Sequence, residues 1–268
     1  MRFRLVFNVK KGTVIPFNYH YELGSALYKI FMYIKKNSKY MGMDNTTFLN
    51  HITFSRLEIS NREIRKEGIV SLSGTIFLKL SMNFPDIGTD LLWKSFLKFN
   101  NTINIVKKTE QETKVIDLVL KDINFCSSPE FKDVMKFKMI SPLVITRRGE
   151  KTKYVSIKEK DELKELLKTN LAKKFEELYG KKIEVDDFEI KFDESYCEKR
   201  DEKDLYSLIT MKEGTKEPFW ILGILAPFEL KAPPDIIKVG YFSGFGEKTS
   251  MGFGMVESIN EEKSNTSD

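Results

Sequence analysis

His20 and His51 are the only histidines in this chain of 268 residues. A general acid or base working near pH 7 therefore has two natural places to sit. Cations come in three groups. Lys136 and Lys138 alternate on one face of MKFKM, Arg147-Arg148 precede Gly149, and Lys248 lies inside GFGEKTSMGFGM, residues 244–255. Such groups suit phosphate oxygens, arginine with two parallel hydrogen bonds. Gly244, Gly246, Gly252 and Gly254 frame Lys248. A glycine-dense loop can turn its backbone N–H groups around an anion, or its glycines can simply punctuate a hairpin or bulge. Phe245 and Phe253 inside it either stack on bases or pack beneath the loop. There is no GxxxxGK[ST], and the strand-before, helix-after setting of a dinucleotide fingerprint is missing. No HxxE, HExxH or DxD cluster with ligand spacing occurs, and Cys126 and Cys197 form no metal-type pair, so no cofactor is expected.

The elements that must position these residues follow from composition and period. A chain that is 41% hydrophobic and 31% charged can bury a core and stay soluble. Its formal charge of +5 suits a nucleic-acid partner without requiring one. No apolar run is long enough for a membrane span, MRFRLVFNVKKG reads as a strand rather than a signal peptide, and two cysteines fit a reducing cytoplasm.

Residues 2–9 alternate as a strand, and Leu23, Leu27, Ile30, Phe31 and Ile34 make one helical stripe. Residues 52–59 and 69–80 read as strands, Pro85-Asp86 as opening a helix to about Leu97, and residues 101–106 and 115–122 as strand material. The order is β-α-β-β-α-β, the ferredoxin-like split unit. After a break at Ser127-Ser128-Pro129 the pattern restarts. A strand with one lysine face precedes a helix at 160–179 that Gly180 stops. Strands at 183–192 and 204–211 follow, then the apolar run FWILGILA at 219–226, and Pro233-Pro234 breaks the chain before the glycines. The expected fold is α+β: two tandem ferredoxin-like domains, 1–126 and 130–260, with a C-terminal glycine-rich loop and a disordered tail over 261–268.

KVGYFSGFGEKTSMGFGMV, residues 238–256, closely resembles the C-terminal signature of the CRISPR repeat-processing endoribonucleases, the Cas six family of the RAMP superfamily. SPLVITRRGEKTKYV at 141–155 resembles the opening of that family's second domain, IPFNYHYELGSALYKI at 15–30 its first helix, and FLNHITFSRL at 48–57 its second strand with the segment before it. The likeness covers most of the chain, and the glycine-rich segment is its most specific part.

The resemblance implies an endoribonuclease of the antiviral CRISPR system that cuts repeat RNA without metal. The 2′-hydroxyl attacks the neighbouring phosphate, leaving a 2′,3′-cyclic phosphate and a 5′-hydroxyl. It implies precursor repeat RNA as partner, other CRISPR effector subunits as further candidates, no membrane, and a cytoplasmic setting. It places the catalytic histidine at His51, one position later than the family pattern, where Asn50 stands, and after an unusually short loop. That displacement keeps a second reading open, a repeat-RNA-binding protein that does not cut. Tyr28 matches a tyrosine that acts in some members and lies at the edge of the first helix's apolar stripe, where a half-buried packing role is equally open. No lysine lies between Lys39 and Lys66, so the family's cationic role is unassigned here; Arg56 on the strand is one candidate, with a solvated strand residue as the other reading. The glycine loop with Gly244, Gly246, Lys248, Gly252 and Gly254, together with Lys136, Lys138, Arg147 and Arg148, is the expected RNA contact.

Overall fold

The computed structural model describes residues 1–108, 113–147 and 153–259. Alternation in the first strand, Arg2–Asn8, puts Phe3, Leu5 and Phe7 on one fully buried face. The strand is the centre of an antiparallel sheet ordered Ile52–Phe54, Thr75–Met82, Arg2–Asn8, Thr113–Cys126, Thr102–Lys108. Helix α1 (His20–Lys36) buries the expected stripe in the core of this half. A short α2 (Asn45–Asn50), capped by the Asp44 carboxylate on the Thr47 N–H, leads into the Ile52–Phe54 strand, and α3 (Thr89–Leu97) completes the layer.

The second half is built on an antiparallel sheet ordered Glu189–Phe192, Phe228–Lys231, Val134–Met139, Val256–Ser258. Helix α4 (Lys160–Tyr179) follows its first strand and ends at Gly180 in the left-handed conformation. Then come α5 (Glu194–Glu198) and α6 (Pro234–Ser243). If the sheet strands of each half are counted along the chain, both halves show the spatial order second, third, first, fourth. The Thr102–Lys108 strand is an added edge in the first half. The architecture is α+β, with one large core per half. A third, small cluster of Val144, Ile209, Met211, Ile221 and Phe253 has Tyr21 of α1 and Met251 of the glycine-rich segment packed on it.

Three expectations are corrected. The 69–80 run is broken at Gly74, whose φ of +76° and 2.8 Å approach of a would-be Cβ to the Val9 carbonyl exclude a side chain. Its first part, Gly68–Ser71, instead joins a separate sheet with Val14–Ile15 and Arg62–Arg65. Residues 206–211 and 219–224 pair with each other as a separate two-stranded hairpin, bridged to Leu143 at Ile224, on which Trp220 is exposed, and the sheet takes Phe228–Lys231 in their place. Pro233-Pro234 starts α6 rather than a loop, because proline at a first helical position gives up an N–H the helix would leave unpaired. The tail at 261–268 lies outside the described residues.

Candidate RNA interface

The glycine-rich segment is a packed wedge between the halves. All four glycines have positive φ. At Gly254 a Cβ would come within 2.0 Å of the Phe245 carbonyl, and at Gly252 within 2.4 Å of the Phe54 ring. Only glycine fits these two positions. Its N–H groups are largely spent on protein. Phe245 N–H donates to the Gly254 carbonyl (2.8 Å), Glu247 N–H to Val144 (2.8 Å) and Gly254 N–H to Pro142 (2.7 Å). The open anion cradle expected of Gly244, Gly246, Gly252 and Gly254 is therefore corrected to a structural knot, since these glycines are buried. Phe245 and Phe253 have no exposed surface and pack beneath it. Lys248 remains exposed on it, itself in the left-handed region.

His51 ends α2 and is completely buried in the seam. Ser243 of α6 receives an N–H from Asn83 (3.0 Å) and lies 3.1 Å from His51 Nδ1, so its hydroxyl proton is free to point at that nitrogen. His51 Nε2 lies 3.3 Å from a carboxylate oxygen of Glu177 on α4. This suits a neutral ring protonated on Nε2. Burial pulls its pKa down, against the opposing pull of Glu177. A ring with no exposed atom, held between two protein groups, cannot meet an RNA oxygen in this conformation. The catalytic placement of His51 is corrected accordingly to a tie between the halves. Other polar ties run beside it. Thr53 Oγ1 donates to the Phe253 carbonyl and Ser81 Oγ to the Phe242 carbonyl, each at 2.8 Å. Buried Arg2 donates to the Val256 and Tyr241 carbonyls, with its guanidinium over the Tyr241 ring.

Where α1 meets the glycine-rich segment, a furrow of about 380 Å³ opens. Positions 20, 21, 24, 25 and 28 of α1 recur at helical spacing and form one wall, and Leu49, Ser250 and Met251 form the other. Tyr28, 43% exposed, presents its ring there. His20 is only 4% exposed, stacked on Tyr19 at 4.7 Å and near Phe253 at 6.0 Å. Neither of its ring nitrogens has a hydrogen-bond partner. Burial, aided by Arg56, lowers its pKa to about 3, so the ring is neutral at pH 7.

The remaining cations divide. Arg147 is committed to Glu159 and Glu162 on the N-terminal end of α4, which corrects its expected role as a free RNA contact. Arg148 lies outside the described residues. Lys136 and Lys138 are exposed on the second sheet, in register with Glu229 and Glu257. Arg56, largely buried, donates to Ser207 of the hairpin (2.6 Å). Among the described residues no group of three His, Cys, Asp or Glu side chains converges as a metal site, and no helix is long and apolar enough to cross a membrane.

Lys174 escaped the sequence reading. The residue is 4% exposed, its ammonium donates to the carbonyls of Gly244 (2.7 Å) and Gly246 (2.8 Å), and burial lowers its pKa to about 7. A lysine in the apolar register of a helix, three residues after Leu171, was the available signal.

The family model for "CRISPR associated protein Cas6, C-terminal" matches residues 126–258. "CRISPR-associated endoribonuclease Cas6 1" of Methanocaldococcus jannaschii is 30% identical over 97% of this chain and 94% of its own length. A "Putative CRISPR-associated endoribonuclease-like protein Cas6" of Pyrococcus furiosus is 31% identical over 95% and 96%. Among solved structures, "An RAMP protein binding different RNA substrates" superposes with a TM-score of 0.75 at 24% identity, covering 97% of this chain and all of that one.

Proposed function

The chain belongs to the Cas6 family of CRISPR-associated endoribonucleases, and from that premise we propose that it binds CRISPR repeat RNA and cuts it without metal in the furrow between α1 and the glycine-rich segment. The observation that carries this is the furrow's wall, where exposed Tyr28 stands beside a neutral histidine, His20, whose two unpartnered nitrogens are buried just beneath the surface. We read both halves as ferredoxin-like units on the strength of their shared strand order.

The chemistry asks for a 2′-hydroxyl aligned on the next phosphate, a group to take its proton, and stabilisation of charge on the phosphorane. The exposed Tyr28 hydroxyl can orient the 2′-hydroxyl, and the neutral His20 imidazole can accept its hydrogen bond once the ring turns its buried nitrogens into the furrow. The departing 5′-oxygen needs a proton. Neutral His20 has no proton to give until it takes one from the 2′-hydroxyl; that proton then passes to the 5′-oxygen from the imidazolium, or goes to solvent while water protonates the 5′-oxygen. Exposed Lys248 supplies charge beside the furrow. Lys136 and Lys138 are proposed as further backbone contacts.

One observation favours a second reading, binding without cutting: the histidine expected to act, His51, is sealed in the seam. Incubating wild type with its cognate repeat in EDTA and resolving the RNA on a denaturing gel separates the two. Cleavage to a 2′,3′-cyclic end supports the first reading. A gel shift with intact RNA supports the second. Cleavage that returns only with magnesium would overturn the metal-free route.

A further inference from the structure

A second cavity, of about 580 Å³, lies on the other flank of α1, against residues 98–106. It shares Tyr21 and Ser25 with the furrow, so the two depressions adjoin across one helical crest. Its helix wall, Tyr21, Glu22, Ser25, Ala26 and Lys29, again follows the three-and-four spacing of one face.

The lining has the composition of a nucleotide site. Lys29 and Lys98 bring two exposed ammonium groups, and neither has a carboxylate in ion-pair range among the described residues. Nearby Lys107, by contrast, is paired with Glu213. Tyr21 and Phe99 offer aromatic faces, on which bases stack. The carboxylate of Glu22 has its Oε2 atom buried with no hydrogen-bond partner. Burial also pushes its pKa up, which is the desolvation cost that bound N–H donors would relieve. A glutamate in the first turn of a helix complements the helix dipole, but that role needs no buried, unpartnered oxygen.

A carboxylate accepts and does not donate. Guanine presents two N–H donor groups side by side, N1–H and the 2-amino group, on the edge that unpaired RNA bases expose to proteins. Adenine and cytosine each offer there one amino donor beside an acceptor, which a carboxylate repels. We propose that this cavity holds one unpaired guanine of the bound RNA. Its Watson–Crick edge lies on Glu22, its ring against Tyr21 or Phe99, and the adjoining phosphates on Lys29 and Lys98. The inference rests on the repeat-RNA reading and adds to it a base-specific subsite beside the furrow.

The test is a binding selection from a pool of cognate repeat RNA randomised at its unpaired positions, run in EDTA with wild type and with Glu22→Gln. Sequencing the bound fraction should show guanine enriched about 10-fold or more at one position with wild type, the scale of one good two-point base contact. Glu22→Gln should lose that enrichment while binding the pool as a whole. Lys29→Ala with Lys98→Ala should weaken all sequences alike and flatten the salt dependence by about 1.4 in the log–log slope, two phosphates on a single strand. Absence of a guanine position, or one that survives Glu22→Gln, overturns the subsite while leaving the functional reading standing. An unchanged salt slope overturns the placement of the phosphates. Failure of wild type to bind any repeat RNA overturns the functional reading and this inference together.

Discussion

At the seam between the halves, His51 is buried with Ser243 and Glu177 facing its two nitrogens. In the furrow, His20 is buried with neither nitrogen matched. A buried polar group left unpaired costs about 1–3 kcal/mol. A fold that meets this cost beside an opening leaves a partner's place there, whereas polar groups faced by protein on both sides of a seam make a joint, even though His51 Nε2, 3.3 Å from Glu177, makes no hydrogen bond of good geometry. The same contrast separates the carbonyls of Gly244 and Gly246, both taken by Lys174, from the vacant Glu22 oxygen. Degree of burial alone would have ranked the two histidines together; what separates them is that His51 has Ser243 in hydrogen-bond range and Glu177 at ion-pair distance, while His20 has neither.

The largest effect should come from the joint. Gly254→Ala must place a Cβ against the Phe245 carbonyl at positive φ, and should destabilise the protein by about 3–5 kcal/mol, the range of severe backbone and packing defects. Denaturant unfolding would show it as a fall in midpoint. A midpoint within error of wild type would mean that the knot is pliable, and the contrast with the furrow would dissolve.

His51→Ala should follow, at about 2–4 kcal/mol, through the lost packing and the stranded Ser243 and Glu177 groups. Whatever cutting wild type shows should persist per folded molecule. Full stability with abolished cutting would return the catalytic role to His51 and reverse the comparison.

The furrow should respond in the opposite sense. His20→Phe keeps the stacked shape and removes the unmatched nitrogens, so thermal stability should hold or rise. RNA cleavage should fall about tenfold for each hydrogen bond to the transition state that is lost. Tyr28→Phe, at an exposed site, should lower cutting by a similar factor and leave stability alone. A His20→Phe protein that melts earlier and cuts normally would place His20 with the joint.

The sequence made the framework legible where one physical signal dominated. The alternation of Phe3, Leu5 and Phe7, the stripe from Leu23 to Ile34 and the stop at Gly180 all depend on local periodicity or one residue's conformational freedom. The glycine-rich segment announced its importance but not its role, because the atoms that forbid a side chain at Gly252 and Gly254 include Phe54, from a distant strand. The partners of His51 lie more than 120 residues away, at Glu177 and Ser243, so its satisfaction could not be read from its neighbours. Arg147 failed for a nearer reason. Glu159 and Glu162 were visible, but only the hairpin geometry brings them to the guanidinium.

Lys174 gives the joint a pH signature. Its folded pKa of about 7 lies below the ordinary lysine value of 10.5, so between those values the unfolded chain binds more protons and stability must rise with pH. The N-terminal amine, lowered to about 5 from 8.0, and both histidines contribute the same sign at lower pH. Between pH 8 and 10 Lys79, also lowered, adds the same sign, and Cys197 and the buried tyrosines, raised, add the opposite one. The Lys174 share is therefore the difference in slope between wild type and Lys174→Met, which should approach, without exceeding, about 1.4 kcal/mol per pH unit for one proton. Equal slopes in both proteins would show the ammonium better solvated than its burial implies.

The smallest effect separates a spent cation from an available one. Arg147 is already held by Glu159 and Glu162, with its charge neutralised by two carboxylates. Binding RNA through it would mean breaking those contacts, with no net gain in charge to release counterions. Lys248 is exposed on the glycine-rich segment next to the Ser250 and Met251 wall of the furrow. Measured across a series of salt concentrations, Lys248→Ala should reduce the slope of log affinity against log salt by about 0.7, one phosphate on a single strand. Arg147→Ala should leave it unchanged. The design works because the slope counts phosphates neutralised rather than stability, so loosening α4 in the Arg147 variant cannot mimic a lost contact. A drop in slope for Arg147→Ala equal to that for Lys248→Ala would show that the carboxylates release the guanidinium to RNA, and that an ion pair in the free protein does not mark a residue as scaffold.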